Sequence, residues 1–202
     1  MQPHWNEARR VFEALAYLVK TMVPSGIELR FTNSCEHDSR EKDRKKLIKT
    51  FDKVKPSGQG QLGIALNKIL PKYRQNQTNL RSSWYQRAEE RPAVNIYIFT
   101  DGIWSPGHHC LSVIQEHITN LVDHLWKAGK LQHVGIQFIR FGDDEIGQQR
   151  LEYLDNDNLQ HYEAPGDIVD TEPSTGNVFK MLFGSIDRTW DNDEDEPSRW
   201  RE

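Results

Sequence analysis

The segment Ala93-Val-Asn-Ile-Tyr-Ile-Phe99, closed by Thr100-Asp101-Gly102, constrains this chain more than any other. Its β-branched and aromatic run, with one polar residue inside, predicts a buried parallel strand. The strand ends in a lone carboxylate and then a glycine able to turn the chain. Ligands of open α/β sheets bind at the carboxyl ends of the strands. Asp101 is therefore placed where a metal ion or polar ligand would sit. An Asp-Gly pair also simply opens turns.

The rest of the chain supplies the partners of that strand. Val11, Phe12, Leu15, Leu18, Val19, Met22 and Val23 recur at helical spacing and predict a helix over 4–23, stopped by Pro24-Ser25-Gly26. No apolar strand precedes it. Gly26–Thr32 alternates as a strand, and 33–41 reads as a polar loop. A helix over 42–54 carries Leu47, Ile48, Phe51 and Val54 on one side and lysines and arginines on the other. Pro56-Ser-Gly-Gln-Gly-Gln-Leu-Gly63 opens a third helix to Tyr73, and the polar stretch 75–92 reads as a long loop. A helix over 111–128, a strand over 133–141, a helix from Asp143-Asp144 to Leu154, a short strand near Ile168-Val169 and a helix over 176–190 follow. The end, 189–202, is an acidic tail of disordered composition. This order predicts an α/β fold with a doubly wound, mainly parallel sheet flanked by helices, occupying 1–188.

Composition narrows the function classes. The chain has 202 residues, 36% hydrophobic and 28% charged, with a net charge of −4. That suits one domain with a modest core. The negative charge argues against nucleic-acid binding through general phosphate attraction. Cys35 and Cys110 do not make a disulfide framework and predict reduced thiols in an intracellular, cytoplasmic protein. No apolar run approaches about 18 residues, and the N-terminus lacks the apolar core of a signal peptide, so no membrane association is expected.

Enzyme signatures are weak. Gly58-x-Gly60-x-x-Gly63 fits a dinucleotide-binding pattern, but it follows a Lys-rich helix rather than a strand, and position 83, where a ribose-binding acid would stand, is Ser. His108, His109 and Cys110 are adjacent, and His117 and His124 are about 10 Å apart along a helix, so neither group has zinc-ligand spacing. Asp191, Asp193 and Asp195 lack the glycine and bidentate Glu of a calcium loop. There is no Gly-x-Ser-x-Gly elbow.

Taken together, four segments resemble a von Willebrand factor type A (vWFA) domain: the Met1-x-x-His-Trp helix entry, Gly26-Ile-Glu-Leu-Arg-Phe-Thr-Asn33, Pro56–Leu66 and Ile96–Gly102. The tract Asp167-Ile-Val-Asp-Thr-Glu-Pro-Ser-Thr-Gly-Asn-Val178 is similar to that of intracellular fungal members. The resemblance covers 1–188. It implies a Rossmann-like sheet and a non-catalytic protein–protein interaction module. It also implies a metal-ion-dependent adhesion site built from three loops: Asp-x-Ser-x-Ser, a Thr, and the Asp of Thr-Asp-Gly.

Asp101 matches the third loop. Met1 matches the residue just after the first loop, so that motif and its strand are missing, and Gly60 stands where the Thr is expected. The site is thus incomplete. No cofactor is expected, and Mg²⁺ or Mn²⁺ should bind weakly if at all. Ser57, Gly58, Gly60, Thr100 and Gly102 form the expected ligand-proximal loops, and Asp101 is expected at the end of a central strand beside the 57–60 turn. The partner would be a protein. The alternatives are a small phosphate- or nucleotide-handling enzyme on a Rossmann-like sheet, using the 58–63 turn and Asp101, and a decayed paralogue without a binding role.

In the sheet that the resemblance implies, the missing first strand lies between 27–32 and 94–100. Its loss leaves a gap near 10 Å between them. Each unpaired backbone group there costs roughly 1–3 kcal/mol, against a domain stability of about 5–15 kcal/mol. The expectation is that the two strands close up and pair, or that the isolated chain folds poorly.

Overall fold

Three strands, Val94–Thr100, Val134–Arg140 and Val169–Pro173, form a parallel sheet in that order. The computed structural model describes residues 1–32, 39–57, 60–75, 93–104, 108–157 and 168–186. The polar stretch 76–92, Gly58 and the acidic tail lie outside the described residues. β3 (Val94–Thr100), β4 (Val134–Arg140) and β5 (Val169–Pro173) pair with Ile96 opposite Ile136 and Ile136 opposite Val169. Even-numbered residues of β3 and β4 face one helical layer and odd-numbered residues face another, as period-2 alternation requires.

Val94, Ile96, Ile98, Ile136 and Phe138 pack with α3 (Leu62–Ile69) and α5 (His108–Lys127), whose Ile114, Ile118, Leu121, Val122 and Leu125 are buried at helical spacing. Tyr97, Phe99, Ile139 and Phe141 pack with α1 (Trp5–Val19) and α2 (Arg44–Lys53) on the other side. α4 (Pro71–Gln75), α6 (Glu145–Glu152) and α7 (Val178–Phe183) complete the layers. This is a mixed α/β arrangement, a parallel sheet flanked by helices.

Two features differ from the sequence expectation. The segment over 33–41 contains a strand. β1 (Ile27–Leu29) pairs antiparallel with β2 (Ser39–Glu41), and the hairpin forms its own two-stranded sheet. Ser39-Arg40-Glu41 carries no apolar alternation, so its sequence gives no strand signal. Backbone pairing holds it, helped by Arg40 Nη2 donating to Glu28 Oε2 at 2.9 Å. Gly26, at φ +87°, admits it, because a Cβ there would lie 2.8 Å from Glu41 O.

The second difference corrects the single sheet. β1 and β3 do not pair, and no described strand lies between them. Among the described strands β3 lies at an edge of the sheet rather than at its centre. A cavity of about 1790 Å³ separates the hairpin from the sheet, lined by every residue of Gly26–Thr32 and of Ala93–Asp101.

Smaller boundaries shift for local reasons. α1 stops at Val19 and a turn leads to Gly26. Pro71 starts α4 and splits the third helix in two. β5 extends to Pro173, longer than its apolar residues suggest. Asp170 there accepts from Gln137 Nε2, and Asp155 Oδ2 accepts from the Thr171 amide at 3.0 Å.

Candidate functional site

The carboxyl end of β3 is organised by Thr100. It is 4% exposed, and its Oγ1 accepts from the Gly102 amide at 3.0 Å and from Trp104 Nε1 at 3.0 Å. The two bonds fold Thr100–Trp104 into a tight corner. The Trp104 ring then reaches the other loop: its Cδ1 would lie 3.8 Å from a Cβ on Gly60. Ser57, Gly60, Thr100, Asp101 and Trp104 all border the cavity at this end. The contact between Trp104 and Gly60 joins the end of β3 to the segment after α2.

Gly102 points away from the cavity. Its φ is +71°, and any Cβ would collide with the backbone of Gly147 in the first turn of α6. α6 is set there by Asp144, whose Oδ1 accepts from the Gly147 amide at 3.0 Å. Arg150, one turn on, donates to Gly102 O at 3.2 Å and lies 5.9 Å from the Trp104 ring centroid. Trp104, Gly147 and Arg150 were not found by sequence reasoning. Their only signal is their distance from Thr-Asp-Gly along the chain, which says nothing about proximity.

Both oxygens of Asp101 are engaged. Oδ1 accepts from the Ile103 amide at 3.1 Å, and Oδ2 accepts from the terminal ammonium of Met1. Burial holds that ammonium below its ordinary pKa. The Thr100 hydroxyl already accepts two bonds, and Gly60 has no side-chain oxygen. Mg²⁺ requires near-octahedral oxygen coordination. One carboxylate, beside a Thr100 hydroxyl that is already engaged and a glycine at 60, does not fit that requirement. Among the described residues no group of three His, Cys, Asp or Glu side chains could hold a metal ion. His124 Nε2 is buried on α5 without a hydrogen-bond partner.

The glycine pattern that begins at position 58 follows α2 in the chain, not a strand. This is the wrong context for cradling a pyrophosphate, which needs the turn between strand and helix. No family model matches this chain, and no curated protein matches its sequence. No helix among the described residues is long and apolar enough to cross a membrane.

Proposed function

We propose that this chain is a von Willebrand A-like protein-interaction module whose binding surface is formed by the loops at the carboxyl end of β3. It engages its protein partner without a divalent cation. The observation that supports the reading is the approach of Trp104 to Gly60 at the carboxyl end of β3, with Ile103 exposed on the same corner. The helix before the glycine turn favours this reading over a nucleotide-handling enzyme.

Site-specific photocrosslinking tests it. A crosslinker at Ile103 should capture a discrete protein partner equally well with EDTA or with Mg²⁺. The same probe at Phe179, exposed on α7, should not. Capture that requires Mg²⁺ would overturn the metal-free mode. Thermal stabilisation by a nucleotide, abolished in Gly60→Val, would favour the enzyme.

A further inference from the structure

The outer face of α2 carries a charge that its described neighbours leave uncompensated. Leu47, Ile48 and Phe51 are buried in the cluster that joins α1, α2 and α7. Lys45, Lys49 and Lys53 occupy the opposite side, all three exposed, in a chain whose net charge is −4. Four residues of helix rise about 6 Å, so the three lysines form a ladder at roughly that spacing. The acids around them are engaged elsewhere. Asp52 accepts from Arg9 Nε at 2.6 Å, and Asp43 Oδ1 accepts from the Lys45 amide at 2.8 Å. Glu13 accepts from Arg9 and from Arg44. Glu41 lies 3.8 Å from Lys46, on the neighbouring row. Among the described residues none forms an ion pair with Lys45, Lys49 or Lys53.

The sequence holds a complementary ladder. Asp191, Asp193, Glu194, Asp195 and Glu196 follow closely, with no basic residue among them. In an extended chain, residues two apart fall on one side, about 6.6–6.8 Å from each other. Asp191, Asp193 and Asp195 then match Lys45, Lys49 and Lys53 rung for rung. The mismatch over the whole ladder is about 1–2 Å. The flexible four-carbon stem of lysine absorbs it.

The connection is long enough. Met181 and Leu182 of α7 share one core cluster with α1 and α2, so the three helices lie on one face of the sheet. Packed helices are about 8–10 Å apart, which leaves α7 and α2 no more than about 20 Å apart even with α1 between them. Asp191 is five positions beyond Ile186, where the described residues stop, and Asp195 is nine. At up to about 3.6 Å per position they reach about 18 and 32 Å. A single surface ion pair contributes little. Several pairs presented on one short tether act together, because attachment sets an effective concentration in the millimolar range.

We propose that the acidic segment 191–196 docks on the lysine face of α2 in the same chain, with Asp191, Asp193 and Asp195 along Lys45, Lys49 and Lys53. The docked segment keeps that face from other polyanions. The contact involves neither Asp101 nor the corner at Ile103.

Zero-length carbodiimide coupling of the whole 202-residue chain tests it, since the reagent joins an amine to a carboxylate only where the two touch. The monomer is isolated and its coupled peptides are identified by mass spectrometry. The expected product links 191–196 to Lys45, Lys49 or Lys53. Its yield should exceed at least fivefold that of any link to Lys127, exposed on α5 at the other face of the sheet. It should also fall at least fivefold in 1 M salt, where the screening length is about 3 Å. A charge-swapped chain, with Lys45→Glu, Lys49→Glu, Lys53→Glu, Asp191→Lys, Asp193→Lys and Asp195→Lys combined, should couple between the same positions in the reverse sense. Absence of coupling, equal coupling to Lys127, or indifference to salt would overturn the proposal. So would loss of coupling in a folded charge-swapped chain. Should that chain not fold, the wild-type yields decide alone. Mixing isotope-labelled and unlabelled chains separates the sources: mixed pairs as the main product would assign the segment to a second copy and overturn docking within the chain. No loop partner enters the reaction, so its failure leaves the crosslinking result at Ile103 untouched.

Discussion

Gly102 and Gly147 meet backbone to backbone, with no room for a Cβ on either. The contact fixes the first turn of α6 against the end of β3, and it explains the glycine after Asp101 better than a turn alone. Gly147→Ala should destabilise the protein by roughly 1–3 kcal/mol through overpacking. Gly102→Ala should cost at least as much, because its positive φ adds strain of about 1–2 kcal/mol. Urea denaturation of the two variants checks this. Wild-type stability in both would mean that the helix sits farther from the strand.

Trp104 ties the two loops through its ring nitrogen. Trp104→Phe keeps the ring packing and removes the bond to Thr100 Oγ1. The expected loss is about 1 kcal/mol, with faster amide exchange confined to 57–63 and 100–104. A uniform rise in exchange across the sheet would contradict a local role.

Glu28 gives the hairpin a pH dependence. Burial opposes its charge, but hydrogen bonds from Arg30, Arg40 and Lys72 more than offset it and hold the carboxyl at about 2, below its ordinary 4.5. As pH falls, the unfolded chain takes up this proton first. The stabilisation is complete above about 4.5 and is lost progressively down to about 2. Because the group is partly exposed, it amounts to no more than about 1 kcal/mol. Glu28→Gln should flatten this part of the pH–stability curve. An unchanged slope in that variant would assign the dependence to other carboxylates.

Gln137 is fully buried in β4 and joins two elements: its Nε2 donates to Asp170, and its Oε1 accepts from the Ser185 amide at 3.1 Å. Gln137→Leu preserves apolar bulk and strips both. Each group left short of a bond costs roughly 1–3 kcal/mol, so a total of about 2–5 kcal/mol is expected in chemical denaturation. A loss below about 1 kcal/mol would mean that water replaces the amide.

Millimolar Mg²⁺ or Mn²⁺ should leave the thermal midpoint unchanged, as should EDTA. Titration calorimetry provides the direct check. A micromolar affinity lost in Asp101→Asn would show that further oxygen ligands reach this carboxylate.

The legible parts of this fold were those with strong apolar periodicity. β3, β4, α1 and α5 appear within a few residues of where their patterns place them, because burial on a helical stripe or between two layers leaves a mark in composition. β2 and the outer half of β5 left none. Ser39-Arg40-Glu41 is held by backbone pairing, and Asp170 and Glu172 are polar because their side chains bond to Gln137 and to the Asn177 amide. At the site, the Asp101 corner was readable from Thr-Asp-Gly. Its closeness to α6 was not, since two glycines 45 positions apart carry no sign of mutual contact.

The cavity between the hairpin and the parallel sheet also bears on cooperativity. Among the described strands no ladder joins the hairpin to the parallel sheet, so β1 and β2 communicate with it through side chains and helices. Such a seam divides a molecule into units that open separately. The hairpin should then exchange its amides at a lower free energy than β4, and denaturation should begin there.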